Sequence, residues 1–172
     1  MKSNPKILIV FYSRTGTTKK AVWAILNSLT SFIKSKKINV DIEEIIDTKD
    51  RSGAIGYLFA GKDATLKSLT RIKKSRYNSA KYDLIIIGTP VWAFTMSTPI
   101  RTYILQNKAK LNPSAKAAFF CTQGGSGSER TFREMEKVCG KKPVALLELT
   151  TKEVMQNLSE KKVRGFVERI LM

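Results

Sequence analysis

The sequence predicts an α/β domain, a doubly wound sheet of five parallel strands with helices on both faces. Three observations carry that expectation. Residues 7–11, 84–87 and 117–122 are almost wholly apolar and rich in β-branched and aromatic types, as strands covered on both sides require. The segments between them repeat apolar residues at helical spacing. The strand-like runs each give way to a short turn of small, hydroxyl or glycine residues, so strand, turn and helix succeed one another along the chain.

Taken in order, the first strand (7–11) runs into a hydroxyl-rich turn, and a helix follows with Val22, Ile25, Leu26, Leu29 and Ile33 on one stripe. Residues 38–46 alternate apolar and polar through Val40, Asp41, Ile42 and Glu43, the signature of a half-exposed edge strand. Residues 52–72 carry Tyr57, Leu58, Leu66 and Leu69 with two glycines, Gly56 and Gly61, and read as a broken helix. Residues 82–89 form the third strand. A helix over 98–110 has Pro99 in its first turn. Residues 117–122 form the fourth strand, 129–139 a helix stopped by Gly140, and 143–150 the last strand. Val163, Phe166, Val167 and Ile170 mark the final helix. With the second strand at an edge and the first, third and fourth inside, the pattern agrees with the order 2-1-3-4-5, whose ligands sit beyond the strands' carboxyl ends where the order reverses.

The totals bound the function. At 172 residues with no linker or repeat, one domain spanning 1–172 is expected. No apolar run approaches the roughly 20 residues of a membrane span. Residues 1–6 lead straight into a strand without a signal segment, which makes the cytoplasm the expected location. There is no histidine, and Cys121 and Cys139 form no Cys-x-x-Cys pair. No metal site, disulfide framework or histidine-activated nucleophile is therefore expected. Cys121 reads as a buried apolar residue; Cys139 reads as helix-end packing or, less simply, a reactive thiol. The charge stands apart: 31 basic against 14 acidic residues, a formal +17, attracts nucleic acid, anionic membranes or acidic proteins. Residues 62–76 are its densest stretch, either a docking surface or the solvated face of a helix.

Three turns carry the chemistry. Ser13, Arg14, Thr15, Gly16, Thr17 and Thr18 stand where a helix begins, so its free N–H groups and several hydroxyls face one point. That nest suits a phosphate; a plain threonine cap is the alternative. Neither the Gly-Lys-Ser/Thr ending of a triphosphate loop nor Gly-x-Gly-x-x-Gly is present. Residues 89–97 put Trp92 and Phe94 on a loop after the third strand, to be covered either by a flat heterocycle or by a neighbouring loop or subunit. Residues 122–128 hold three glycines, Gly124, Gly125 and Gly127, which allow close backbone approach or mobility.

These three stretches resemble the cofactor loops of flavodoxins: Ser13-Arg14-Thr15-Gly16-Thr17-Thr18 the phosphate loop, Gly88-Thr89-Pro90-Val91-Trp92 and Thr122-Gln123-Gly124-Gly125-Ser126-Gly127 the two flavin-edge loops. The resemblance covers Lys6 to the end and implies a flavodoxin-like fold that binds FMN and transfers electrons. It places Ser13, Thr15, Gly16, Thr17 and Thr18 on the phosphate, with Arg14 either pairing with it or solvated. It places Pro90, Val91, Trp92 and Ala93 along the isoalloxazine, with Trp92 the candidate stacker and a backbone carbonyl there accepting from the reduced ring. Thr122, Gly124 and Gly125 line the pyrimidine edge. Two departures stand out. The third loop lacks the aromatic that usually covers the outer flavin face, and the chain is basic where flavodoxins are acidic.

Three functions compete. An electron carrier would serve redox partner proteins with acidic docking faces. An FMN-dependent NAD(P)H:quinone or flavin reductase would use the open outer face. A flavin-free basic module would hold nucleic acid or another polyanion. The carrier is the leading expectation, with no protein acid or nucleophile required. The net charge further suggests weaker repulsion of the reduced flavin and a less negative second potential.

Overall fold

The computed structural model of the chain describes residues 5–36, 38–51 and 53–172; expectations placed on residues 1–4, on Ser52 and on the side chains of Ile33 and Tyr57 lie outside it. The elements are β1 (Lys6–Phe11), α1 (Thr17–Lys36), β2 (Asn39–Glu44), α2 (Gly53–Thr65), β3 (Leu84–Trp92), β4 (Thr95–Met96), α3 (Thr98–Asn107), β5 (Lys116–Gln123), α4 (Ser128–Cys139), β6 (Pro143–Thr150), α5 (Thr151–Met155) and α6 (Glu160–Leu171). Five strands pair in parallel in the order β2-β1-β3-β5-β6, the expected 2-1-3-4-5. The two-residue β4 is additional and pairs antiparallel with the end of β3.

Apolar burial divides into two clusters, one per face. Ile7, Ile9 and Phe11 pack with α1 and α6 through Val22, Ile25 and Phe166. Leu8 and Val10 pack on the other side with Ile100, Tyr103 and Met135 of α3 and α4. Alternate residues of one strand thus serve opposite cores, which is why the run must be apolar throughout. The row Phe11–Gly88–Phe120 crosses three strands in register. A Cβ on Gly88 would lie 1.9 Å from the buried Phe120 ring, so the missing side chain makes room for the phenyl group.

The structure departs from the expected segments in three places. The helix expected over 52–72 ends at Thr65, in a Schellman closure with Lys67 left-handed (φ 54°) and Ser68 N–H donating to the Asp63 carbonyl. Beyond it the chain pairs instead with 46–48, through an Asp47–Ile72 bridge. The basic stretch 62–76 is therefore mostly not helix. The loop expected over 89–97 is a hairpin, β3 to β4, turned by Ala93 (φ 46°) and Phe94 (φ 61°). Two positive φ values match the primed turns of tight hairpins, here without glycine. Finally, α3 stops at Asn107, with one 3₁₀ turn following over Lys108–Lys110.

Among the described side chains of α2, the small residues Gly56, Ala60 and Ala64 face inward, while Leu58 (71% exposed) and Phe59 (47%) face solvent. A Cβ on Gly56 would lie 2.3 Å from the Arg51 carbonyl carbon, so the helix seats directly on that residue's backbone.

Two buried arginines anchor the hairpin. Arg51 donates through Nε to Asp47 Oδ2 (2.6 Å) and through Nη1 to Asp63 Oδ2 (2.9 Å), with its guanidinium carbon 5.4 Å from the Trp92 ring centroid. Arg101 donates through Nη1 to Glu134 Oε1 (2.9 Å) and through Nη2 to Thr95 Oγ1 (3.1 Å). Burial pushes the Asp63 and Glu134 carboxyls up, but hydrogen bonds from Lys49 and Arg51, and from Arg101 and Lys67, outweigh it and hold both below the usual carboxylate range.

Two outcomes are expected. Gly88→Ala overpacks the sheet centre and costs roughly 3 kcal/mol in urea unfolding, and adding Phe120→Leu restores part of it. Because Asp63 and Glu134 have depressed folded values, their stabilisation is complete above the ordinary carboxylate range near 4 and is lost as pH falls through the folded values. Melting temperature should therefore fall below about pH 4, less steeply in Glu134→Gln.

Candidate cofactor site

Parallel strands end along one rim, and the turns leaving β1, β3 and β5 meet there because β1, β3 and β5 are neighbours. The first turn is the expected one. Gly16 takes a left-handed conformation (φ 89°) and α1 starts at Thr17. Ser13 Oγ accepts the Lys19 N–H at 3.3 Å and caps the helix. The Thr15 and Thr17 hydroxyls lie 3.5 Å apart beside the exposed Gly16. Arg14 Nη1 donates to the Arg51 carbonyl at 3.3 Å, so the arginine leans toward the β2–α2 loop.

Thr18 and Thr122 are both buried and hydrogen-bond each other at 2.8 Å. That contact joins the turn after β1 to the end of β5, and it directs both hydroxyls away from solvent. Thr89 and Ser97 close the base of the hairpin, where Thr89 Oγ1 accepts the Ser97 N–H at 2.9 Å.

Trp92 ends β3 and is 7% exposed, so it does not stand on a tip. Its ring meets Tyr12 edge-on (centroids 5.5 Å apart, planes at 88°) and lies under the Arg51 guanidinium. Of the two covers expected for Trp92, the neighbouring loop is the one present. Pro90 and Val91 are half-buried, Ala93 is exposed, and Phe94 (55% exposed) is the aromatic at the tip.

In the third loop Gly124, Gly125 and Ser126 are exposed. Gly127 (φ 104°) is where this loop touches the hairpin: a Cβ there would lie 2.9 Å from Val91 Cγ1 and 3.1 Å from Phe94 Cα. Gln123 is buried at the loop's start, and its Oε1 has no hydrogen-bond partner among the described residues.

Sequence reasoning singled out the three turns but not Tyr12, Arg51 or Gln123. A buried arginine has no local signature, and Gln123 reads as one more polar loop residue. Both cysteines are free and buried, and burial pushes the Cys121 thiol up to about 12, so it stays protonated. Among the described residues no group of three His, Cys, Asp or Glu could hold a metal, and no helix is long and apolar enough to cross a membrane.

The rim is close to electroneutral. Residues 12–20, 44–52, 93–97, 123–130 and 148–153 hold seven basic and six acidic side chains. Most of the chain's positive excess therefore lies on other segments.

No curated protein matches the sequence. Among solved structures, a flavoprotein in complex with FMN from Lactobacillus acidophilus NCFM superposes with a TM-score of 0.66 at 25% identity, over 88% of this chain and 97% of that one. A flavodoxin from the domain Archaea (TM-score 0.58, 17% identity, 97% and 99% covered) and oxidised flavodoxin 1 from Bacillus cereus (0.58, 15%, 96% and 97%) share the fold. Residues 6–170 match the family described as flavodoxin. With that match spanning nearly its whole length, and with the flavodoxin strand order and three convergent turns, the chain belongs to the flavodoxin family.

Proposed function

We propose that this rim holds FMN and that the protein carries electrons between redox partners. The observation behind the reading is the convergence of the three turns, with the first tied to β5 by the buried Thr18–Thr122 bond and the hairpin seated against Gly127. The fit is chemical as well. Exposed Thr15 and Gly16 with half-buried Thr17, at the start of a 20-residue helix, supply the donors a phosphate monoester needs. The exposed backbone at Gly124 and Gly125, where an added Cβ meets nothing within 4 Å, allows a planar ring edge to come close.

FMN supplies the redox chemistry when bound. The protein's part is to bind, orient and limit water. Ser13, Thr15, Gly16 and Thr17 take the phosphate, with Arg14 beside them. Pro90, Val91, Ala93 and Phe94 lie along the ring, with Trp92 as a support beneath the hairpin that keeps only a thin exposed edge. Gly124 and Gly125 line the other side with Thr122 buried behind them, and the unpartnered Gln123 Oε1 is an acceptor at hand for a ring N–H. Thr18 serves through its bond to Thr122, holding the turns in register.

The glycine loop favours a second reading. With no aromatic between Thr122 and Ser128, the ring's outer face stays open to a nicotinamide or quinone, as a reductase needs.

Purified protein mixed with FMN should quench flavin fluorescence with 1:1 stoichiometry; a chain that leaves it unquenched ends this proposal. Phe94→Ala should weaken FMN about tenfold with an unchanged melting temperature, because its ring is exposed. Trp92→Ala should lower affinity and stability together. Steady-state NADH or NADPH oxidation by the holo-protein decides between carrier, which shows none, and reductase.

A further inference from the structure

The opposite rim, where the strands begin, and the adjoining edge beside β2 carry much of the remaining charge. Residues 73–83, 108–116 and 137–142 lead into β3, β5 and β6 and hold ten basic side chains against one acidic, Asp83, which accepts the Lys6 backbone N–H. Residues 73–76 run beside the carboxyl end of β2, where Lys73 N–H donates to the Ile46 carbonyl and Arg76 N–H to Glu43 Oε1, and residues 77–83 descend from there to the start of β3. Among the described residues, ion pairs engage Lys19, Lys49, Lys67 and Lys162, but none engages Lys73, Lys74, Arg76, Lys81, Lys108 or Lys110.

This rim is also grooved. A cleft of about 390 Å³ is lined by Lys74, Arg76, Asn78, Asn107 and Lys110. A second of about 540 Å³, bordered by Lys6, Asn39, Lys81 and one carboxylate, Asp41, which accepts the Tyr82 hydroxyl, shares Arg76, Tyr77 and Asn78 with the first, so the two flank one stretch of chain. Half-buried Tyr77 stands at that junction, with the Arg76 guanidinium carbon 5.6 Å from its ring centroid.

We propose that this grooved surface binds single-stranded nucleic acid. Lysine and arginine along a groove neutralise phosphates, asparagine side chains offer hydrogen bonds, and an aromatic at the junction stacks a base. A flat anionic bilayer fits less well, because no exposed large apolar side chain falls within these three segments to anchor in it. Six to nine strand residues separate the rims, roughly 20–30 Å. Lys6 and Lys81, at the starts of strands, are thus separated from the cofactor rim by more than the Debye length of about 8 Å at physiological salt, whereas Lys74 and Arg76 line a cleft with Glu43, Glu44 and Ile46 and stand nearer to it.

The test is fluorescence anisotropy of the full chain, with and without FMN, against a labelled oligothymidylate of about 15 nucleotides, within the span such sites cover. Dissociation constants on the order of 10⁻⁵ M, steepening with salt, are expected. Lys74→Glu, Arg76→Glu and Lys110→Glu together should weaken binding about 100-fold and flatten the log–log salt slope by roughly two, three phosphates at about 0.7 each. Tyr77→Ala should weaken it about tenfold with the slope unchanged. Arg130→Glu, Lys152→Glu and Lys161→Glu, a charge-matched set on the other rim, should change it less than about threefold. Equal losses in the two triple variants, an unaffected Tyr77→Ala, or tighter binding to phosphatidylserine vesicles, polyglutamate or inorganic polyphosphate than to the oligonucleotide each overturns the proposal. Because the cofactor-free chain gives the same readout, a failure to bind FMN leaves this result intact.

Discussion

Ile7, Leu8, Ile9 and Val10 are fully buried in succession, which a strand achieves only when both of its faces are covered. That constraint orders the rest. Covering both faces of a parallel sheet takes helices that cross from the end of one strand to the start of the next, and those crossings are right-handed. Each of the five parallel strands then ends on one rim and starts on the other. Chemistry that depends on turns after strands gathers on the first rim, and segments leading into strands gather on the second. Gly88 shows how tightly the middle is set, since one absent side chain lets Phe120 lie across β3.

The hairpin is the part of the site that packing of apolar residues does not explain. Its turn holds Ala93 and Phe94 at positive φ, a conformation that costs of order 1 kcal/mol or more per non-glycine residue. Buried ion networks on both sides offset that cost. Arg51 lies against Trp92, and Arg101 binds Thr95, each held by carboxylates from outside the hairpin. Arginine suits this duty because its planar fork can bond two carboxylates while its face stays free to stack. A buried cation without such partners would be strongly destabilising, so the carboxylates are as much part of the hairpin's support as the arginines.

Much of this was legible in the chain. The apolar runs of β1, β3 and β5, the alternation in β2 and the hydroxyl turn at 13–18 each state their environment locally, and the strand order follows from them. What escaped depends on distant partners. Leu66, Leu69 and Ile72 are spaced as on a helix, yet the helix stops at a left-handed Lys67 where glycine would have announced the end. Trp92 looks like a tip residue until Tyr12 and Arg51, far off in sequence, are seen to enclose it. Thr18 and Thr122 both look like ligand donors, and only the fold reveals that they face each other.

Because α2 turns its small residues inward, Leu58 and Phe59 stand in water on a molecule of net charge +17. Such side chains are ordinarily a liability to self-association. Here each copy repels every other, and the repulsion acts at longer range than the apolar attraction. The protein's colloidal behaviour thus hinges on ionic strength. Where counterions shorten the reach of that repulsion, exposed apolar side chains such as these meet with less to hold them apart.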